Sequence, residues 1–191
     1  MKRMLIYGSK SFGTTVRHLA AHCGYDFGGF IDDVDPSGED VVGDFETVRR
    51  ACSPDDHVIA VAIGYRHLPQ RTALLAAVRE ASYQTPALVH PAAFVDPTAE
   101  VGEGSFIMSH CTVDINVTLG RGVVMWPGAV VCHDSRVGDN VFLSPNVTVC
   151  GCTAIGTEAF IGAAATIVDH QVVPDGSFVK AGAVHYQKSS S

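Results

Sequence analysis

From Val95 onward the chain sets an apolar side chain at every sixth position: Val95, Val101, Ile107, Val113, Leu119, Met125, Val131, Val137, Leu143, Val149, Ile155, Ile161, Ile167, Val173 and Val179. A helical period of 3.6 would carry these side chains around the helix, and a strand period of two would place further apolar residues between them on the same face. Six suits a chain that turns a corner every six residues. Three short sides then make one coil of a parallel β-helix, and the aliphatic residues point into a common prism. A second inward position recurs four residues after each of the first. It is small or modest throughout, from Ala99 and Ser105 to Ser177 and Ala183, with Gln171 the exception. Residues 18 apart should stack, which sets His133 over Ile115 and under Gly151, and Asp134 over Asn116 and under Cys152, with His170 above that.

Ahead of the repeat the pattern changes. Arg3 to Tyr7 is a short apolar run bounded by Gly8, and the loop from Gly8 through Ser9 to Gly13 opens a helix-compatible stretch reaching Cys23. Strand, glycine-bounded turn and helix begin a nucleotide-binding βαβ unit. The loop has glycine only at its ends, short of the full Gly-x-Gly-x-x-Gly fingerprint. A second strand, Phe27 to Ile31, ends in Asp32-Asp33, where such folds put an acid that meets a ribose. The competing reading makes Asp32, Asp33 and Asp35 turn residues before Pro36.

Val41 to Asp44 leads into a short helix over Phe45 to Ala51, with Asp44 as its N-cap. His57 to Ile63 reads as a buried strand ending at Gly64, and Leu68 to Ala81 as a helix. Tyr65, Arg66 and His67 follow the carboxyl end of that strand, where open α/β sheets hold ligands. Arg66 is there either a phosphate contact or a surface charge. The expected division is a Rossmann-like α/β domain over 1–84, a connector over 85–94, a five-coil β-helix over 95–184 and a tail over 185–191.

Charge narrows the partners. A formal net charge of −7 over 191 residues gives no electrostatic support for a nucleic-acid or membrane-surface role. No secretion-type leader is expected, and no apolar run approaches the ~20 residues of a membrane helix; a cytoplasmic protein is the expectation. The six cysteines are too sparse and irregular for a disulfide scaffold. Cys132 and Cys150 should stack about 4.8 Å apart by strand spacing, as free thiols or, on the competing reading, as a bridge. Cys150-Gly151-Cys152 falls short of a Cys-x2-Cys knuckle, so no protein-bound metal is expected.

One histidine has a special neighbour. His133 lies beneath a residue with no side chain, leaving a notch with a backbone N–H beside an imidazole. A base that takes a proton from an attacking amine or hydroxyl, next to a fixed donor for a thioester oxyanion, is the geometry of acyl transfer. A surface histidine at a corner beside an ordinary turn glycine fits the spacing equally well. Asp134 can orient the ring only if the pair sits at a corner, because neighbours in a regular strand face oppositely.

These residues carry a family likeness. Gly8 to Gly13, Gly29-Phe30-Ile31-Asp32-Asp33, Val42-Gly43-Asp44, His90-Pro91-Ala92-Ala93, the hexapeptides, His133-Asp134 and Ser144-Pro145 together resemble the bacterial hexapeptide-repeat sugar acyltransferases of the sialic acid O-acetyltransferase and nucleotide-sugar N-acetyltransferase type. The resemblance implies a left-handed β-helix assembled as a homotrimer, with acetyl-CoA as co-substrate between neighbouring prisms. It implies His133 as base, Asp134 as its support and the Gly151 N–H at the thioester carbonyl. It implies a nucleotide-linked sugar held by Gly8, Ser9, Asp32 and Asp33, and CoA running near Gly151, Ile155, Gly162 and Ala163.

Two positions depart from the family pattern. Trp126 stands where several relatives have an acceptor-site Asn, and an indole cannot accept a hydrogen bond. Val179 to Val184 lacks the terminal Gly-x-Pro-Ala-Lys/Arg loop of relatives. The reading is therefore acetyl transfer from acetyl-CoA to an amine of a nucleotide-activated sugar. The alternatives are O-acetylation, another acyl group, or a non-catalytic nucleotide-sugar scaffold.

Overall fold

The computed structural model describes residues 2–186. The chain divides after Leu88 into two compact units.

In the first unit the strands are β1 (Arg3–Tyr7), β2 (Phe27–Ile31), β3 (Val41–Gly43) and β4 (His57–Val61), and the helices are α1 (Ser11–His22), α2 (Phe45–Ala51) and α3 (Leu68–Glu80). The four strands form one parallel sheet in the order β3-β2-β1-β4. The expected elements are present, with two additions: a short 3-10 helix at Tyr65–His67, and Val41–Gly43, which pairs in parallel with β2 before the chain enters α2. Three residues are too few to show a period. Asp44 caps α2 through its carboxylate, which accepts from Thr47 N–H at 2.7 Å. Leu5, Tyr7, Ile31, Val48, Ile59, Val61, Val78 and Tyr83 make the core. The Arg71 guanidinium is fully buried in α3, donates from Nε to the Val61 carbonyl at 3.1 Å, and is pulled by burial to a pKa of about 9.

The second unit is the prism. Among the described residues its three faces carry six, six and five two-residue strands, each paired in parallel with the strand one coil away. The repeat positions fall where the pattern puts them. Ile107, Met125, Leu143 and Ile161 are all 0% exposed along one face, and Val113, Val131, Val149 and Ile167 along another. At roughly 1.5–3 kcal/mol for each buried aliphatic side chain, these columns supply the main driving force for the unit.

The smaller row is also interior, and its hydroxyls stitch coil to coil. Ser105 Oγ donates to the Gly120 carbonyl at 3.1 Å and accepts from Val123 N–H at 3.0 Å. At most corners the second residue adopts a left-handed backbone, among them Asn116, Asp134, Asn140, Asn146 and Cys152, with φ between 54° and 58°. Asn, Asp and Gly recur there because they tolerate that conformation best.

The solenoid extends beyond the expected bounds at both ends. β5 (Leu88–Val89) and β6 (Phe94–Val95) already pair with prism strands, so the segment expected as a connector belongs largely to the first coil. Val89 sits one beat before Val95, and only Pro91 obscures the repeat between them. At the other end His185 occupies the next inward beat and pairs with Ile167. His185, expected as the start of the tail, is therefore part of the solenoid, and residues 187–191 of that expectation lie outside the described residues.

Gly13 shows how closely α1 approaches the first turn. A Cβ at that position would stand 1.9 Å from the Gly8 carbonyl oxygen. In an ordinary helix Gly→Ala gains up to about 1 kcal/mol from propensity. Here the clash is with backbone, which cannot swing aside. Gly13→Ala should therefore destabilise the protein by about 1–3 kcal/mol, the usual cost of overpacking, read as a lower urea midpoint. A raised midpoint would contradict this packing.

Candidate active site

The corner at His133 and Asp134 interrupts the strand alternation. Asp134 has φ of 57°, which turns its side chain back along the corner. Asp134 Oδ2 meets His133 Nδ1 at 2.9 Å. An ionised carboxylate can only accept, so Nδ1 carries a proton, and in the neutral ring the lone pair is on Nε2. Hydrogen bonds from His133 and then from Asn116 hold the Asp134 carboxyl below the usual carboxylate range. The side chains are 52% and 49% exposed, leaving the imidazole open on one side.

Gly151 closes the other side. A Cβ there would lie 2.6 Å from His133 Nε2 and 2.7 Å from Cε1, so the ring fills the space that any larger residue would need. The Gly151 N–H donates to no group among the described residues, whereas Cys152 N–H above the corner donates to the His133 carbonyl at 3.0 Å. Two interior side chains fix the backbone around this notch. Ser135 Oγ donates to the Cys150 carbonyl at 3.1 Å, and Thr153 Oγ1 to the Val168 carbonyl at 3.2 Å. The result is an imidazole packed against the Gly151 backbone of the next coil, anchored from inside the prism.

The cysteines around this corner are free thiols. Burial, then the neighbouring Cys150 and Asp114, pushes the Cys132 thiol up, and burial pushes Cys111 to about 11; neither is activated as a nucleophile. Cys152 is exposed above Asp134. One ligand atom each from His133, Asp134 and Cys152 lies within 4.8 Å of the others, a set that could hold a cation.

In the first unit, Gly8, Ser9, Asp32 and Asp33 come together; Asp32 is buried, whereas Asp33 is exposed and held by hydrogen bonds on one side. Asp32, 7% exposed, accepts from the Ser9 hydroxyl, from Ser9 N–H at 3.3 Å, and through Oδ1 from Val34 and Asp35 N–H at 3.0 and 3.1 Å. Burial alone would push its carboxyl up, but these hydrogen bonds outweigh it and hold it below the usual range. Asp33 accepts from the Tyr7 hydroxyl and, at 2.9 Å, from Phe45 N–H. Burial, then this Asp33 contact, pushes the Tyr7 phenol up, so it remains a donor. Asp32 thus braces the turn after β2, and Asp33 ties β1 to the start of α2.

The open space lies beside them. A cleft of about 370 Å³ is lined by Ser9, Lys10, Thr14, Arg17, Phe30 and the 35–41 loop. Lys10 pairs with Asp35 at 3.8 Å and Arg17 with Asp40 at 2.9 Å, and the Arg17 guanidinium lies 4.0 Å from the Phe27 ring centre. Sequence reading missed Lys10 and Arg17 because a lone cation, whether at the N-cap of α1 or on the helix, has no period to mark it. Gly64, with open space around it, and the exposed Arg66 sit on the separate loop after β4.

The remaining expected residues are dispersed. Trp126 precedes the corner before that of His133, and its ring lies 6.3 Å from Phe142, at the head of a column continuing through Phe160 and Phe178. Ile155 is 3% exposed on the aliphatic beat, so its side chain serves the core and cannot line a cofactor site. Gly162 is buried, with the Ala181 backbone where a Cβ would be, and Ala163 beside it is half-buried.

No family model and no curated protein matches the chain. Solved structures do. The acetyltransferase domain of PglB from Neisseria gonorrhoeae is 29% identical, with a TM-score of 0.88 over 97% of this chain and 92% of that one; the same domain in complex with acetyl coenzyme A gives 0.87. A histidine-to-alanine mutant of GDP-perosamine N-acetyl transferase from Caulobacter crescentus, in complex with CoA and GDP-perosamine, is 25% identical, with a TM-score of 0.92 over 98% of this chain and 90% of that one. PerB from Caulobacter crescentus, also with CoA and GDP-perosamine, is 26% identical at 0.90, over the same shares of the two chains. From its α/β unit through its solenoid, this chain is a structural match to β-helix sugar acyltransferases.

Proposed function

We propose that the protein transfers an acetyl group from acetyl-CoA to the amine of a nucleotide-linked amino sugar, with His133 as general base. The observation that carries this reading is the His133 ring held by Asp134 with Nε2 set against the Gly151 backbone. Solved structures of similar proteins holding acetyl coenzyme A, or CoA with GDP-perosamine, support the choice of donor and acceptor.

The neutral amine attacks the thioester carbonyl carbon while His133 Nε2 accepts the proton it loses. The carbonyl oxygen becomes an oxyanion facing the Gly151 N–H, a fixed donor that needs no reorganisation as charge develops. Collapse breaks the C–S bond, and the imidazolium returns its proton to the departing sulfur, giving an amide and CoA. Asp134 stays ionised throughout and stabilises the transient imidazolium.

In the first unit, Lys10 and Arg17 at the mouth of the cleft suit the diphosphate of a nucleotide sugar, which would take the place of Asp35 and Asp40 as their counter-charge. Exposed apolar residues on the prism, Val172 at 64%, Phe178 at 67% and Val184 at 70%, support assembly with further copies, and a homotrimer is the arrangement we propose. The six free thiols favour a cytoplasmic setting. Glycan biosynthesis is the role that a nucleotide-activated acceptor suggests.

His133→Ala should lower kcat by the 10²- to 10⁴-fold typical of a lost general base, followed as CoA thiol release; an unchanged kcat would remove His133 from the mechanism. Gly151→Ala should cost about 10²-fold, because the new methyl displaces the imidazole by a good fraction of an ångström. It should do so while acetyl-CoA still binds by calorimetry, and wild-type turnover in that variant would contradict the notch.

A further inference from the structure

The His133–Asp134 pair stands on the coil below it, and the contacts form one continuous chain. Asp134 uses Oδ2 for the imidazole and Oδ1 for the side-chain amide of Asn116, 3.0 Å away. Asn116 occupies the same corner position one coil earlier, also left-handed, with φ of 54°. Its own backbone N–H donates to Thr98 Oγ1 at 2.9 Å, and that hydroxyl donates to Asp96 Oδ1 at 2.6 Å. Asp114 anchors the histidine from the same coil: Oδ2 accepts His133 N–H at 3.2 Å, and Oδ1 accepts Ile115 N–H at 2.8 Å.

The Asn116 contact matters because Asp134 is half exposed. A carboxylate on the surface with only one partner rotates between several staggered wells, and water competes for each oxygen. The amide can only donate from Nδ2, so it selects the orientation in which one oxygen faces Asn116 and the other faces His133 Nδ1. That in turn selects the tautomer with the lone pair at Nε2, beside Gly151. Asn is suited to the place on two counts, as a left-handed corner residue and as a neutral donor. Asp would share the first property and reverse the second.

We propose that Asn116 is a positioning residue for acyl transfer: it fixes the Asp134 carboxylate, and through it the tautomer and orientation of His133. This rests on His133 being the base.

Asn116→Gly removes the amide without straining the corner, and Asn116→Asp keeps the backbone but sets a second carboxylate against Asp134. The glycine variant should lose roughly 10-fold or more in kcat, with KM for acetyl-CoA and for the nucleotide sugar within about 3-fold, and the aspartate variant should lose more. In an Asp134→Ala background Asn116→Gly should add no further loss beyond about 2-fold, because groups acting through one contact are non-additive. Full additivity, or a wild-type kcat in Asn116→Gly, would overturn the proposal.

A readout independent of turnover is the ¹⁵N spectrum of His133. The Nδ1–H tautomer should dominate in the wild-type protein and give way to a mixture in Asn116→Gly; unchanged populations would equally overturn the proposal. The two readings can fail separately. Wild-type turnover by His133→Ala removes the base, whereas collapse of that variant beside a fully active Asn116→Gly removes only the positioning role.

Discussion

Each coil lays its backbone on the one below in strict register, so what any residue touches is decided by the residue 18 positions away. The ladder of parallel hydrogen bonds enforces this, from Glu100 N–H on the Val117 carbonyl to Thr166 N–H on the Ala183 carbonyl. The aliphatic columns inside and the polar corners outside are two readings of the same constraint. A change of one residue in length would carry every later side chain off its column, which is why the repeat runs without insertion from Val95 to Val179.

The candidate chemistry is a local use of that register. A corner puts two side chains in one place where a strand would point them apart, and the next coil lays the Gly151 backbone against the His133 ring. Leaving out a single side chain, at Gly151, converts an ordinary corner into a notch. Asn116 and Asp134 stack in one column and His133 stands beside Asp134 on the same coil, while Ser135 and Thr153 fix the backbone from within. Rigidity here follows from the solenoid itself, because each group is held from the coil beneath.

The solenoid was legible in the sequence because its period is long-lived and its inward positions agree at every turn; the stacking of His133 under Gly151 followed by counting. Its ends were less so. Val89 and His185 keep the beat, but Pro91 hides the first and a polar side chain disguises the second. In the α/β unit the strands and helices could be read, whereas the direction of Asp32 and Asp33 could not. Asp32 accepts from Val34 and Asp35 N–H and Asp33 from Phe45 N–H, partners that no side-chain pattern announces. Asn116 was already in the right column by spacing, and its role needed only the distance to Asp134.

The central claim is that the corner transfers an acetyl group to a nucleotide-linked amine. The most direct measurement is mass analysis of the sugar products after incubating the protein with acetyl-CoA and a panel of UDP-, dTDP- and GDP-linked amino sugars. The account predicts that at least one member gains a single acetyl group on nitrogen with matching release of CoA, and that His133→Ala forms almost none. Binding of acetyl-CoA and nucleotide sugar without any acetylated product would contradict it and leave a nucleotide-sugar-binding scaffold in its place.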